Sequence, residues 1–344
     1  MTLGRDKVSF LQLPTSLERL DNLSEELGVN FYLKRDDMTS IGGGGNKLRK
    51  LEYFVAEAKK QNATILLTVG GAQTNHGRLT AAVAAKYGFK SAIVTTDVYP
   101  GEISANLLLD GFLGCSVYFK PSLRLSEATE IVGKELEASG EKVYFIPMGG
   151  SDSLGALGYY DCGIELAEQF RTIGLKRPHV FVTAGSLGTY LGLEFARQNR
   201  RLSFDLTGIS VLPRKVTAAE YGEKLFGDIY KTYLGTLGFN IDVPPKAAQL
   251  DINENYFFGA YNNEVHEVRE AIYLMARKEG IFLDPCYTGK TFCGILDMIR
   301  TGEIEKASDV VMIHTGGFPG NYAAHHRVEM ENELSEFMKI DRSF

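Results

Sequence analysis

Short runs of β-branched and apolar residues alternate along this chain with amphipathic stretches, and that alternation decides what it can fold into. The runs are TILLTV at 64–69, SAIVTT at 91–96, SVYF at 116–119, KVYFIP at 142–147, HVFVTA at 179–184, LTGISVL at 206–212 and DVVMIHT at 309–315. Their length and composition predict strands. Between them RLTAAVAAKYG (78–88), LSEATEIVGKELEAS (125–139), GIELAEQF (163–170) and EVHEVREAIYLMARKEG (264–280) return apolar residues every three to four positions, the period of a helix with one buried face. Parallel strands need long crossovers, which helices supply, so the pattern predicts an α/β fold with mostly parallel sheets covered on both faces. Ligands in such sheets lie beyond the carboxyl ends of the strands, where a loop enters a helix, so those loops are the places to look for chemistry.

The 344 residues exceed one average domain and can bury a sizeable core. A formal charge of −6, with Lys and Arg spread along the chain, offers no basic stripe for a phosphate backbone, so no nucleic-acid partner is expected. The start, MTLGRDKVSF, lacks the apolar core of a signal peptide and nowhere do 18 apolar residues run together, so a cytoplasmic protein without a membrane partner is expected. Cys115, Cys162, Cys286 and Cys293 form no C-x-x-C pair; they read as free thiols, and no metal site is expected. No Pro/Ser-rich linker marks an end-to-end division, so any second lobe is expected as an insertion, bounded near residues 50 and 158 by glycine-rich stretches.

Four loops stand out. The first, IGGGGNKLRKLE at 41–52, follows the charged run KRDD and fails the P-loop pattern, because Asn46 and Leu48 flank Lys47. A lysine at a helix mouth near Arg49 and Lys50 is pushed toward the neutral amine that Schiff-base chemistry requires; a plain solvated lysine is the alternative. The second, VGGAQTNHGR at 69–78, can receive a carboxylate on the amides of a helix start, with Thr74, Asn75 and His76 adding side chains. Thr74 or Asn75 can equally be only an N-cap, and His76 only a satisfied histidine. The third, TAGSLGTYLG at 183–192, suits a phosphate dianion and lacks the G-x-G-x-x-G of a dinucleotide site; a tight helix entry is the alternative. The fourth pair, LDPCYTGK at 283–290 and MIHTGGFPGN at 312–321, is expected to end two strands and to place the hydroxyls of Tyr287, Thr288 and Thr315 at a sheet edge, as proton donors or as caps.

The motifs GGNKLRKLE (44–52), GGAQTNH (70–76), GSLGT (185–189), Tyr261, LDPCYTGK and HTGG (314–317) occur in this order over nearly the whole chain. Together they resemble the fold-type II pyridoxal-phosphate enzymes of tryptophan-synthase-β-like architecture, within them the aminocyclopropane-carboxylate deaminase and D-cysteine desulfhydrase branch. The resemblance implies two three-layer α/β/α domains, a large cofactor-binding one from residues 1–49 and 159–344 and a small inserted one from 50–158. It implies pyridoxal 5'-phosphate on Lys47, with Lys50, Gly185, Ser186, Leu187, Gly188 and Thr189 around its phosphate and Asn75 beside its 3-hydroxyl. By the same resemblance Thr74 with Asn75 and His76 holds a small amino-acid substrate, Tyr261 and Tyr287 flank it, and the protein is a homodimer.

Ring-opening deaminases carry a glutamate after the tyrosine of DPxYxGK and a leucine before the later Gly-Gly; this chain has Thr288 and Thr315, as desulfhydrase-like members have hydroxyl residues. A neutral hydroxyl cannot hold the pyridine nitrogen protonated, which suits elimination of a good β leaving group better than ring opening. The implied reaction converts D-cysteine to pyruvate, ammonia and hydrogen sulfide. The alternatives are an aminocyclopropane-carboxylate deaminase, a sulfo-lyase acting on cysteate, or a non-catalytic protein that binds the cofactor or senses a metabolite. Three positions depart from the family pattern: Thr74 replaces a serine, Asn262 replaces a glycine after Tyr261, and the lysine loop has an extra glycine.

Overall fold

The computed structural model describes residues 2–263 and 265–339. Glu264, at the start of the helical stretch expected over 264–280, and the two ends of the expected large domain lie outside the described residues. Strand β1 (Leu17–Arg19), helix α1 (Asp21–Leu27) and β2 (Asn30–Lys34) lead into α2 (Lys47–Lys60). Next come β3 (Ile65–Val69), α3 (Asn75–Tyr87), β4 (Lys90–Thr95), α4 (Ala105–Phe112), β5 (Ser116–Phe119), α5 (Leu125–Ala138) and β6 (Val143–Ile146). They are followed by α6 (Ser153–Ile173), β7 (His179–Ala184), α7 (Gly188–Arg200), β8 (Asp205–Ser210), α8 (Ala218–Tyr233) and β9 (Ile252–Asn253). Helices α9 (His266–Glu279) and α10 (Thr288–Thr301), strand β10 (Asp309–Ile313) and α11 (Ala324–Leu334) complete the order.

Two sheets result, a six-stranded one in the order β1-β2-β10-β7-β8-β9 and a four-stranded one in the order β5-β4-β3-β6. Every pairing is parallel except β1 with β2. The strand alternation explains the layers. Val180, Val182, Val311 and Ile313 pack on α6, α7 and α8, while their neighbours Phe181, Val310 and Met312 pack on α9 and α10. In the smaller sheet Leu66 and Ile146 face α2 and α3, whereas Ile65, Leu67, Val69 and Val94 face α5. Each such side chain contributes about 1.5–3 kcal/mol on burial, so a one-residue slip would forfeit both faces at once. Two three-layer units are the outcome, as the resemblance implies.

Register sets the site. Val310 pairs with His179 and with Phe31, and His179 with Asp205, so the carboxyl ends of β2, β10, β7 and β8 fall on one edge. The Lys47, HTGG and GSLGT loops therefore leave from the same edge, joined by the loop after β8.

Several expectations are corrected. No strand precedes LDPCYTGK: residues 281–284 are irregular, and the Asp284 carboxylate caps α10 by accepting the amides of Cys286, Tyr287 and Thr288 at 3.0, 2.9 and 2.8 Å. Pro285 has no amide to give a ladder. The stretch 163–170 is only the middle of α6, whose first half is glycine-rich and of poor helix propensity. Packing overrides propensity there, because a methyl on Gly158 would sit 2.5 Å from the Arg49 carbonyl of α2, and one on Gly192 of α7 would sit 2.5 Å from the Ala156 carbonyl. Gly158→Ala is expected to cost roughly 1–3 kcal/mol through overpacking against backbone. Urea unfolding checks this, and an unchanged midpoint would rule out the close α2–α6 approach.

Candidate active site

A cavity of about 770 Å³ opens along the carboxyl edges of both sheets. Lys47, Thr74, Asn75, His76, Tyr261 and Tyr287 line it, as do Gly185, Ser186, Leu187, Thr189 and Thr315. Lys47 is the first residue of α2, and its ammonium donates to Asn46 Oδ1 at 3.0 Å. Burial lowers its pKa to about 8. The sequence reading credited Arg49 with part of this shift, but Arg49 is neutralised by Asp36 at 2.8 Å and Glu165 at 2.9 Å. The glycine run before Lys47 is sterically required at Gly44, where φ is +74° and a methyl would meet the Asp37 carbonyl at 1.9 Å.

With a pKa near 8, the fraction of neutral amine falls about tenfold per pH unit below that value. The rate at which the cofactor-free protein takes up an aldehyde is therefore expected to rise with pH and level off above about 8. Stopped-flow absorbance between pH 6 and 10 measures it, and a flat profile would contradict the lowered pKa.

Thr74 caps α3, accepting the Gly77 amide at 3.3 Å, so the capping and ligand readings coexist at one residue. Its extra methyl borders Gly77 beside Ile93: a methyl placed on Gly77 would lie 2.5 Å from Thr74 Cγ2 and 2.6 Å from Ile93 Cδ1. Asn75 Oδ1 accepts from Asn106 at 3.1 Å and Arg78 at 3.5 Å, which leaves the amide nitrogen as the donor toward the cavity. His76 is buried with neither ring nitrogen hydrogen-bonded. Burial, then Lys47 and Lys50, hold its pKa well below the usual histidine range. The ring is thus neutral, with one nitrogen able to donate and the other to accept.

The GSLGT loop forms a small polar cradle at the start of α7, whose first amides have no partner within the helix. Leu187 takes a left-handed φ of 65°, and the Gly188 amide donates to Ser151 Oγ at 3.2 Å. Ser151 in turn donates to Ser186 Oγ at 2.7 Å, and Thr189 Oγ1 accepts from Asn46 at 2.9 Å. Lys50 Nζ donates to the Gly149 carbonyl at 3.0 Å and would lie 2.8 Å from a methyl on Gly188. Burial and Lys47 depress the Lys50 pKa strongly, so an anion placed here would restore its charge. Ser151 escaped the motif reading, although its loop follows β6 and the strand-end rule points to it.

Tyr261 and Tyr287 stand edge to face, 5.6 Å between ring centroids. Burial raises the Tyr287 phenol, which stays protonated at neutral pH. Lys290 Nζ donates to the carbonyls of Phe257, Ala260 and Tyr261 at 2.8, 2.8 and 3.1 Å and so fixes the Tyr261 loop. Thr315 faces the cavity, and its carbonyl accepts the Asn46 amide at 3.0 Å. Thr288 does not reach the wall. It is buried, donates to Asp284 Oδ1 at 2.6 Å and accepts the Asp284 amide at 2.8 Å. Of the two threonines expected at the cofactor, Thr315 lines the cavity and Thr288 does not, because the hydroxyl of Thr288 is spent on the cap.

A lysine of lowered pKa facing an anion cradle and an amide donor across one cavity defines the class: an enzyme that holds a phosphorylated aldehyde. The residues present fit pyridoxal phosphate, with Lys47 for the aldehyde carbon, Lys50 and the GSLGT loop for the phosphate, and Asn75 for a ring oxygen. The family described as pyridoxal-phosphate dependent enzyme matches residues 8–316, and the chain belongs to it. It is 36% identical over 319 residues to a putative 1-aminocyclopropane-1-carboxylate deaminase of Pyrococcus furiosus, covering 92% of this chain and 93% of the relative. It is 36% identical over 324 residues to the D-cysteine desulfhydrase of Serratia proteamaculans, covering 91% and 94%. A solved ACC deaminase homologue superposes with a TM-score of 0.83 at 31% identity over 97% of each chain. Threonine deaminase isoform 2 of Solanum lycopersicum, 18% identical over 95% of this chain and 85% of that one, shares the fold with a TM-score of 0.63. The resemblance read from the motifs is borne out.

Proposed function

We propose that this enzyme is a β-elimination lyase acting on a small amino acid, with D-cysteine giving pyruvate, ammonia and hydrogen sulfide as the first substrate to test. One observation carries the reading: Thr315, a neutral hydroxyl, lines the cavity, and the only acid among the described lining residues is Asp97, engaged by the Ala72 amide at 2.7 Å. When bound, the cofactor supplies an electron sink for charge developing at the substrate Cα; without a carboxylate to protonate its ring nitrogen the sink is modest, and a good β leaving group is favoured. The names of the desulfhydrase relatives support the same choice.

The chain's own residues then divide the work. Lys47, with its pKa near 8, takes the Cα proton at physiological pH. The α3 amides with Thr74 and His76 bind the substrate carboxylate. Tyr261 and Tyr287 cover the substrate, Tyr287 as a neutral phenol, and exclude water. Lys50, Ser151 and Gly185 to Thr189 hold the phosphate.

The proposal extends to a homodimer in the cytoplasm and to a large domain of residues 1–49 and 159–344 with an insertion at 50–158; the two separate sheets support the division. Among the described residues no helix is long and apolar enough to cross a membrane. Sulfide and pyruvate release from D-cysteine, run beside L-cysteine and aminocyclopropane carboxylate, tests the reaction. Release from D-cysteine alone is expected; turnover of the cyclopropane substrate alone would replace this reading with the deaminase one, and silence with a bound cofactor would favour a non-catalytic protein.

A further inference from the structure

The cavity has a second polar end that the reaction above leaves unused. The loop after β8 contributes Arg214 and Lys215 to the wall, and α8 adds Tyr221. The Arg214 guanidinium donates to the Gly185 carbonyl along one edge and lies over the Tyr221 ring, 5.3 Å from guanidinium carbon to centroid. Its Nε is buried without a hydrogen-bond partner. Among the described residues neither Arg214 nor Lys215 makes an ion pair, and Tyr221 and Glu254 offset the burial that pulls Arg214 down only in part. That nitrogen faces protein, so the part of the guanidinium that lines the cavity is its terminal amino groups, and a partly desolvated cation without a carboxylate partner is costly unless a ligand pairs with it.

The other anions have their own places, the cofactor phosphate at the GSLGT cradle and the α-carboxylate at the start of α3. We propose that Arg214, Lys215 and Tyr221 form a third anion subsite, which takes a tetrahedral oxyanion carried as the β substituent of the amino-acid substrate. This rests on the reading that the cavity holds an amino acid undergoing β-elimination. A planar guanidinium fixed along one edge presents its remaining N–H groups as a fork, which suits two oxygens of one group, and the exposed Lys215 ammonium adds charge without geometric demand. The step balances without an oxidant. The Cα proton passes to the lysine amine, and the bond from Cβ to sulfur or oxygen breaks with its electron pair on the departing group, which leaves as sulfite from a sulfonate or phosphate from a phosphate ester. The resulting enamine takes up water and yields pyruvate and ammonium.

The test uses the holoenzyme with cysteate, O-phosphoserine and cysteine, each in both hands, reading pyruvate release and the half-saturation of the cofactor absorbance change. At least one oxyanion substrate is expected to bind more tightly than cysteine. Arg214→Gln should raise its KM and half-saturation about 10- to 100-fold, the loss expected for one charge-assisted pair, against no more than about threefold for cysteine. Lys215→Gln, altering an exposed side chain, should weaken the same ligand several-fold and covers the case in which the arginine variant misfolds. Equal effects on cysteine and the oxyanion ligands, loss of cofactor from Arg214→Gln, or no effect of Lys215→Gln where the arginine variant misfolds, would overturn the subsite. If no amino acid yields pyruvate while oxyanion titration still depends on Arg214, the lyase reading falls and the subsite stands.

Discussion

Lys47→Ala is expected to reduce turnover at least ~10³-fold, because in the proposed mechanism one amine both holds the cofactor and moves the Cα proton, and positioned proton transfer alone is worth about 10²–10⁴-fold. The same variant should lose covalent retention of the cofactor after borohydride reduction. Its fold should survive, since the Lys47 ammonium makes a single hydrogen bond, to Asn46 at 3.0 Å, and belongs to no ion pair among the described residues. Turnover within tenfold of the parent enzyme, with an unchanged melting temperature, would remove Lys47 from both roles. The wild-type geometry explains why this lysine is chosen over Lys50 three residues on. Lys50 is fully buried and held by the Gly149 carbonyl, whereas Lys47 faces the cavity.

The alternation of strand and helix carried the architecture because it is written in local patterns: β-branched runs bury two faces and need no distant partner to be recognised. Thr74, Asn75 and the GSLGT loop were legible for a related reason, since each begins a helix after a strand and the chemistry of such a junction is local, while Lys47 stood out through the glycine run that leads into its helix. Thr288 shows where that reasoning stops. Its hydroxyl is claimed by Asp284, four residues upstream, and only three-dimensional geometry reveals that the cap turns it away from the cavity. Arg214 was missed because its partners, the Gly185 carbonyl and the Tyr221 ring, come from a neighbouring loop and a later helix. β1 and β2 were missed as well; β2, NFYLK, opens and closes on polar residues and runs directly into the charged stretch RDD, so its pattern is not a clean alternation.

Arg49 was read as a neighbour that tunes Lys47, and the structure assigns it to the core instead. Its guanidinium is buried and donates to both oxygens of Asp36 at 2.8 Å and both oxygens of Glu165 at 2.9 Å, so α2 is tied to the end of β2 and to α6 at one point. Tyr159 and Thr15 complete the shell around Asp36. Breaking a buried pair from one side strands the other charge, so Arg49→Met is expected to lose about 3–5 kcal/mol of stability near neutral pH. The pH dependence gives the mechanism away. In the parent protein Arg49 holds the Asp36 pKa down against the burial that would raise it, so this contribution is present above the ordinary aspartate range and disappears only as pH falls through the depressed value. In Arg49→Met, burial dominates and Asp36 prefers its proton, so the variant should regain part of its loss as pH is lowered from 7 toward 5, while the parent does not gain. Adding Asp36→Asn to Arg49→Met removes the stranded charge and should recover more stability than either change predicts alone. Urea unfolding of the four proteins at pH 5 and 7 measures this, and additive losses with no pH dependence would mean that the pair contributes packing rather than charge.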